Sequence, residues 1–135
     1  MSADVGPVAT SKKVIWAGRV MSTLPVLMLM MSGYMKLAKP PEMTEGMAHL
    51  GWPMSLALVL AVLELGSTLL YVIPQTAVLG AVVLTGYLGG AIATHLRIGE
   101  VPHIALIVGL GVLVWGGLFL RDARVRALIP IRRLK

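Results

Sequence analysis

Residues 54–96 read MSLALVLAVLELGSTLLYVIPQTAVLGAVVLTGYLGGAIATHL. This stretch holds two apolar runs, Met54–Ile73 and Gln75–Leu96, separated only by Pro74. Each is close to the ~20 residues that a helix needs to cross a hydrocarbon layer ~30 Å thick. Inside lipid the backbone must pair with itself, so runs of this kind read as helices. The joint between them is so short that the two helices must be antiparallel neighbours. Working outward, Val14–Lys36 precedes them and Pro102–Leu120 follows, both of similar length and character. Pro53, Pro74 and Pro102 stand at the proposed boundaries, where proline is tolerated or ends a helix. The expected fold is all-α: a four-transmembrane-helix bundle, up-down-up-down, over residues 14–120. Residues 1–13 are expected to form a flexible cytoplasmic tail and 121–135 a basic cytoplasmic tail.

Composition excludes several classes outright. Hydrophobic residues make up 57% of the 135 and charged residues 13%, against roughly 25% charged in an ordinary soluble domain. Such a chain has too little polar surface for a soluble globule and too much apolar surface for disorder. It contains no cysteine, which removes disulfides, thiolate-bound zinc, iron–sulfur clusters and thiol nucleophiles. The first run contains Arg19, which can snorkel to the headgroups beside the interfacial Trp16. It reads as a membrane helix rather than a cleaved leader, because no small-residue cleavage site follows Met31.

The basic excess sets orientation. Nine of the twelve Lys and Arg residues lie at the end bearing both termini, and only Lys36, Lys39 and Arg97 lie at the other. The positive-inside rule then places both termini in the cytoplasm. Nucleic acid is not an expected partner, because no aromatic residues interleave with the C-terminal arginines; membrane lipids are. Single cysteines introduced at Ser2 and Thr44 are expected to be labelled from opposite sides of intact cells. Labelling from one side would overturn this topology.

The loop after the first run carries its own pattern. Met43, Met47 and Leu50 share one helical face, while Glu42, Glu45 and His49 lie nearly opposite. With Pro41 in the first turn and Gly51 as a left-handed C-cap, residues 42–50 are expected to form a short amphipathic helix on the outer surface. All three histidines fall at this end. If Glu45, His49, His95 and His103 converge, their donor types suit a transition metal.

Only one acid is expected near the bilayer centre. Glu64 lies eleven residues after Pro53, about 16 Å of helical rise. An ionised, unpaired carboxyl there costs several kcal/mol, so it is expected to face the bundle and to be held protonated. It heads a polar stripe with Ser67, Thr68 and Tyr71, directed towards the cytoplasm. Tyr87, on the antiparallel neighbour, is expected at the same depth and is the best candidate to orient the carboxyl. Gly86/Gly90 and Gly89/Ala93 form small-xxx-small pairs, and Gly109, Gly111, Gly116 and Gly117 follow in the last run. These are expected to be helix-packing devices, within the chain or in a homo-oligomer.

The order of four short motifs resembles the DoxX-like family of small four-helix membrane proteins. The carriers are Ser32-Gly33-Tyr34-Met35-Lys36-Leu37, Leu50-Gly51-Trp52-Pro53, Glu64-Leu65-Gly66, and Gly89-Gly90-Ala91-Ile92-Ala93-Thr94-His95-Leu96-Arg97. The resemblance covers roughly residues 15 to 122. Lys36, Glu64 and His95 match positions of the family's pattern. With Tyr87 they form the expected catalytic set, Lys36 and His95 lying nearer the outer surface to recruit a polar head or relay a proton. The resemblance implies a component of the bacterial inner membrane that binds or acts on a lipophilic small molecule such as a quinone. It also implies service as an accessory subunit of a membrane oxidoreductase. Two alternatives stand beside this reading. One is a proton-coupled small-molecule transporter using Glu64; the other is a purely structural membrane subunit.

Overall fold

Ser11 starts the first helix. Its Oγ accepts a hydrogen bond from the Val14 amide at 3.3 Å, satisfying one of the donors that every helix N-terminus leaves open. The computed structural model describes residues 10–132 and Leu134. The expected tail over 1–13 thus lies mostly outside the described residues, as do Arg133 and Lys135 of the basic tail. Within the described part, helix α1 already begins at Lys12 and runs to Ala38, ending in a left-handed Lys39 with φ of 53°. Helix α2 spans Pro41–Leu50 and is closed by Gly51 at φ of 80°, as the amphipathic pattern and the glycine predict. Met47 is buried, Met43 and Leu50 are half-buried, and Glu42, Glu45 and His49 are exposed, so the expected faces are those observed.

A 3₁₀ turn over Met54–Leu56 leads into α3, Ala57–Val72. A second turn, Pro74–Thr76, leads into α4, Ala77–Arg97. Helix α5 follows at Val101–Arg121. Four helical segments are long and apolar enough to cross a membrane, and no strand occurs among the described residues. Helix α1 packs on α3 and α5, and α4 packs on the same two, so α1, α3, α4 and α5 run in order round the bundle. In each span only 22–33% of the most apolar window is buried within the chain. Lipid must cover the rest. The protein is an integral membrane protein.

The basic tail is not featureless. Asp122 Oδ1 accepts from the Arg124 amide at 2.9 Å and caps a sixth helix, α6, Ala123–Leu128. Arg126 then folds back to donate to the carbonyls of Phe119 (2.8 Å) and Leu120 (2.7 Å), and to Thr10 Oγ1 at 2.6 Å. A guanidinium thereby satisfies the last carbonyls of α5 and complements its dipole. The same residue joins the two ends of the described chain at one end of the bundle.

Of the glycines expected to pack helices within the chain, Gly116 and Gly117 of α5 do so, and those of α4 do not. Gly86, Gly89 and Gly90 of α4 are exposed, with no atom of another helix within 4 Å of where a Cβ would sit, and the half-buried Gly109 also has none. Close approach is made at Gly117 and at two glycines outside the expected set, Gly18 and Gly80. A Cβ on Gly18 would meet the Gly117 carbonyl at 2.6 Å, and one on Gly80 would meet the backbone of Tyr71 and Leu70. The crossings α1–α5 and α3–α4 therefore rest on Gly18/Gly117 and Gly80.

Candidate functional site

Glu64 is 2% exposed in its side chain and faces the bundle, as its depth requires. It is not alone there. Lys36 reaches inward from the last turn of α1, and its Nζ donates to Glu64 Oε2 at 2.7 Å and to Ser32 Oγ at 2.8 Å. Tyr87 of α4 donates its hydroxyl to the same Oε2 at 3.1 Å. The carboxyl faces the bundle as expected, and it has Lys36 beside it as well as the expected Tyr87. The group is one half of an ion pair drawn from two helices, with a phenol from a third. Ser32, one turn before Lys36, steers the ammonium by helical spacing alone.

The polar stripe below Glu64 is engaged in helix contacts. Ser67 donates to the carbonyl of Leu63 and Thr68 to that of Glu64, so both hydroxyls are spent on their own helix. Tyr71 donates to the Val114 carbonyl at 2.6 Å and accepts from Ser22 Oγ at 2.6 Å, fastening α3 to α5 and α1. This stripe holds helices together; it does not extend the site.

Towards the opposite end, the Glu64 group opens on a cavity of about 610 Å³ under α2. Lys36, Glu64 and Tyr87 form its polar floor, and Met28, Met47, Trp52, Leu63, Ile107 and Leu110 are among its apolar walls. Gly86 and Gly90 also line it, so the bare backbone of α4 widens the chamber where side chains would fill it. His95 lines the cavity at its mouth rather than its floor. Of the four expected catalytic residues, three therefore meet at Glu64, and His95 belongs to a second cluster.

That second cluster is organised by Glu100. Gly99, at φ of 77°, turns the chain so that the Glu100 amide returns to the His95 carbonyl at 3.0 Å. Glu100 Oε2 then lies 2.8 Å from His95 Nδ1 and 3.3 Å from His103 Nδ1, with the two rings stacked at 4.9 Å between centroids. His49 Nε2 hydrogen-bonds the other oxygen, Oε1. Hydrogen bonds from His49 first and His95 next hold the Glu100 carboxyl below the usual carboxylate range. Arg97 brings α2 into register by donating to the Leu50 carbonyl beside Gly51. Of the expected metal set, the structure brings His49, His95 and His103 together. Glu45 is exposed and outside the group, and Glu100 takes the central place. The signal for Glu100 lies in the spacing His95-x4-Glu100-x2-His103 around a turn glycine. His95 lies in the last turn of one helix and His103 in the first turn of the next.

No match is found among curated proteins or among solved structures. The profile of the DoxX-like family, by contrast, matches residues 20–117. That range takes in all or most of every spanning helix, the α2 cover, and the residues Lys36, Glu64, Tyr87, His95 and Glu100. With the bundle, its covered cavity and most of the chain inside one family profile, the protein is a member of the DoxX-like family.

Proposed function

We propose that this chain binds, in the cavity beneath α2, a lipophilic small molecule whose polar head carries carbonyl or hydroxyl oxygens. A quinone is the class that fits, and the chain then serves as an accessory subunit of an oxidoreductase in the bacterial inner membrane, both termini cytoplasmic. The observation that carries this reading is the buried Lys36–Glu64–Tyr87 group at the floor of an otherwise apolar chamber. A buried ion pair rarely repays its desolvation compared with apolar packing, so stability alone is a poor reason for it to stand there. The volume lies within the range of pockets that hold cofactor-sized ligands, and apolar walls with a few convergent polar groups are their usual chemistry.

The residues fit a quinone head by donor chemistry. Lys36 Nζ has three N–H donors, of which Ser32 and Glu64 engage two, leaving one for a ligand oxygen. Tyr87 adds a hydroxyl that can turn from Glu64 to the ligand. Glu64 Oε2 accepts from both donors and so holds Lys36 and Tyr87 side by side at the floor of the cavity. The ligand, when bound, supplies reversible two-electron chemistry; with no cysteine in this chain, the electrons come from a partner subunit. The transporter alternative has no comparable support, since the carboxylate it needs free is engaged by Lys36 and Tyr87.

Trp52 lines the cavity and makes the reading measurable. In a Trp16→Phe/Trp115→Phe background, a short-tailed benzoquinone is expected to quench Trp52 fluorescence saturably. Gly90→Leu puts a side chain into open cavity space and is expected to weaken that binding at least tenfold while leaving the polar floor untouched. Linear quenching, equal in both proteins, would overturn the proposal. So would organic extracts of purified protein that hold bulk phospholipid and no enriched quinone or other lipophile.

A further inference from the structure

We infer that His95, Glu100 and His103 form a site for a divalent transition-metal ion of the zinc class, at the end of the bundle opposite the termini. One donor atom from each of the three lies within 4.8 Å of the other two. Donors bonded to a tetrahedral ion at about 2.0–2.2 Å stand about 3.3–3.6 Å apart, so side-chain rotation suffices to close the set. His103, 58% exposed, is free to make that rotation, while His95, 16% exposed, is held in place. Two imidazoles and one carboxylate leave a fourth position for water or a ligand oxygen.

The backbone pre-arranges these donors. His95 lies in the last turn of α4, the Gly99 turn returns Glu100 to the His95 carbonyl, and His103 follows in the first turn of α5. His49 contributes from α2 by hydrogen-bonding Glu100 Oε1, the oxygen not shared by the other two histidines. In a metal site such an outer partner orients the ligating carboxylate. Arg97, tied to the Leu50 carbonyl, keeps His49 in reach. Three histidines, from α2, α4 and α5, thus converge on the Glu100 carboxylate of the connecting turn. The donors lie apart from the polar floor, since none touches Glu64, Lys36 or Tyr87, although His95 also lines the mouth of the cavity.

The test uses untagged, chelator-stripped protein in detergent, titrated with zinc(II) by calorimetry and with cobalt(II) by visible absorption. One ion per chain is expected, with cobalt giving the intense d–d bands of a four-coordinate site. His95→Ala, Glu100→Ala and His103→Ala should each weaken binding at least tenfold, and His49→Ala about tenfold. Glu45→Ala and Lys36→Met/Glu64→Gln should bind as the natural sequence does. Absence of stoichiometric binding overturns the site, as does binding that His95→Ala and His103→Ala leave unchanged. Because His103 is exposed, its variant keeps the test clear of misfolding.

Discussion

Glu64→Gln is expected to destabilise the protein by about 3–5 kcal/mol, and Lys36→Met by a comparable amount, whereas the double variant recovers most of the loss. The reason is the asymmetry of buried charge. Paired at 2.7 Å, with side chains 12% and 2% exposed, the two groups largely offset one another's desolvation. Removing either strands the other among apolar walls, where the remaining charge stays unpaired or must be neutralised. Gln at 64 still accepts from Tyr87 but offers Lys36 only a neutral dipole. Replacing both removes the charged groups together and leaves an apolar floor with a hydrogen-bonding amide. The check is thermal melting of all four proteins in one detergent, read as a double-mutant cycle. Single variants that melt with the natural sequence would mean that cavity water already solvates both charges. Under the lipophile proposal, the stable double variant is also expected to lose saturable quenching of Trp52. Stability and binding then separate in one protein, and a purely structural role for the pair predicts no such separation.

Gly80→Ala and Gly18→Ala are expected to cost about 1–3 kcal/mol each or more, while Gly86→Ala and Gly90→Ala are neutral or stabilise by up to about 1 kcal/mol. On Gly80 a methyl group would meet Tyr71 Cα at 2.5 Å and the carbonyl carbon of Leu70 at 2.6 Å. Both are backbone, so no rotamer relieves the clash and α4 must move away from α3. On Gly18 the obstacle is the Gly117 carbonyl at 2.6 Å, again backbone, at the crossing of α1 with α5. Displacing either crossing also strains the Tyr71 hydroxyl bonds to Ser22 and Val114. At Gly86 and Gly90 there is open space, so alanine adds only helix propensity. Melting temperatures of the four variants check the contrast. Equal losses at all four would mean that the space beside Gly86 and Gly90 is filled, by a molecule in the cavity or by a second chain.

The contrast between these glycines shows where sequence reading stops. Small-xxx-small spacing says that a helix can be approached closely, but not which helix comes, nor from which side. In this bundle nearly every side chain of a span is apolar, whether it meets lipid or core. Leu79 and Val82 are exposed while Leu84 and Leu88 are buried, and no change of residue type marks the difference. The periodicity that orients a helix in a soluble protein is therefore weak here. Helix α2 is the exception: it lies across one end with a polar face, and its buried Met47 was legible from spacing.

By itself the sequence determined the elements: four spans, their boundaries within a few residues, the α2 helix with its Gly51 cap, and a carboxyl facing the bundle interior. These follow from quantities summed along the chain, namely run length, hydropathy and the need of backbone groups in lipid to pair within their own segment. Only the tertiary structure decided which polar groups meet. Lys36 finds Glu64 across 28 residues of chain, Glu100 rather than Glu45 gathers the histidines, and Arg126 closes α5 instead of trailing in the tail. Those pairings depend on the rotation and crossing of each helix, which close packing at Gly18, Gly80 and Gly117 sets for the bundle as a whole. Local spacing holds no record of that geometry, because a side chain's partner on another helix is chosen by the packing of all four.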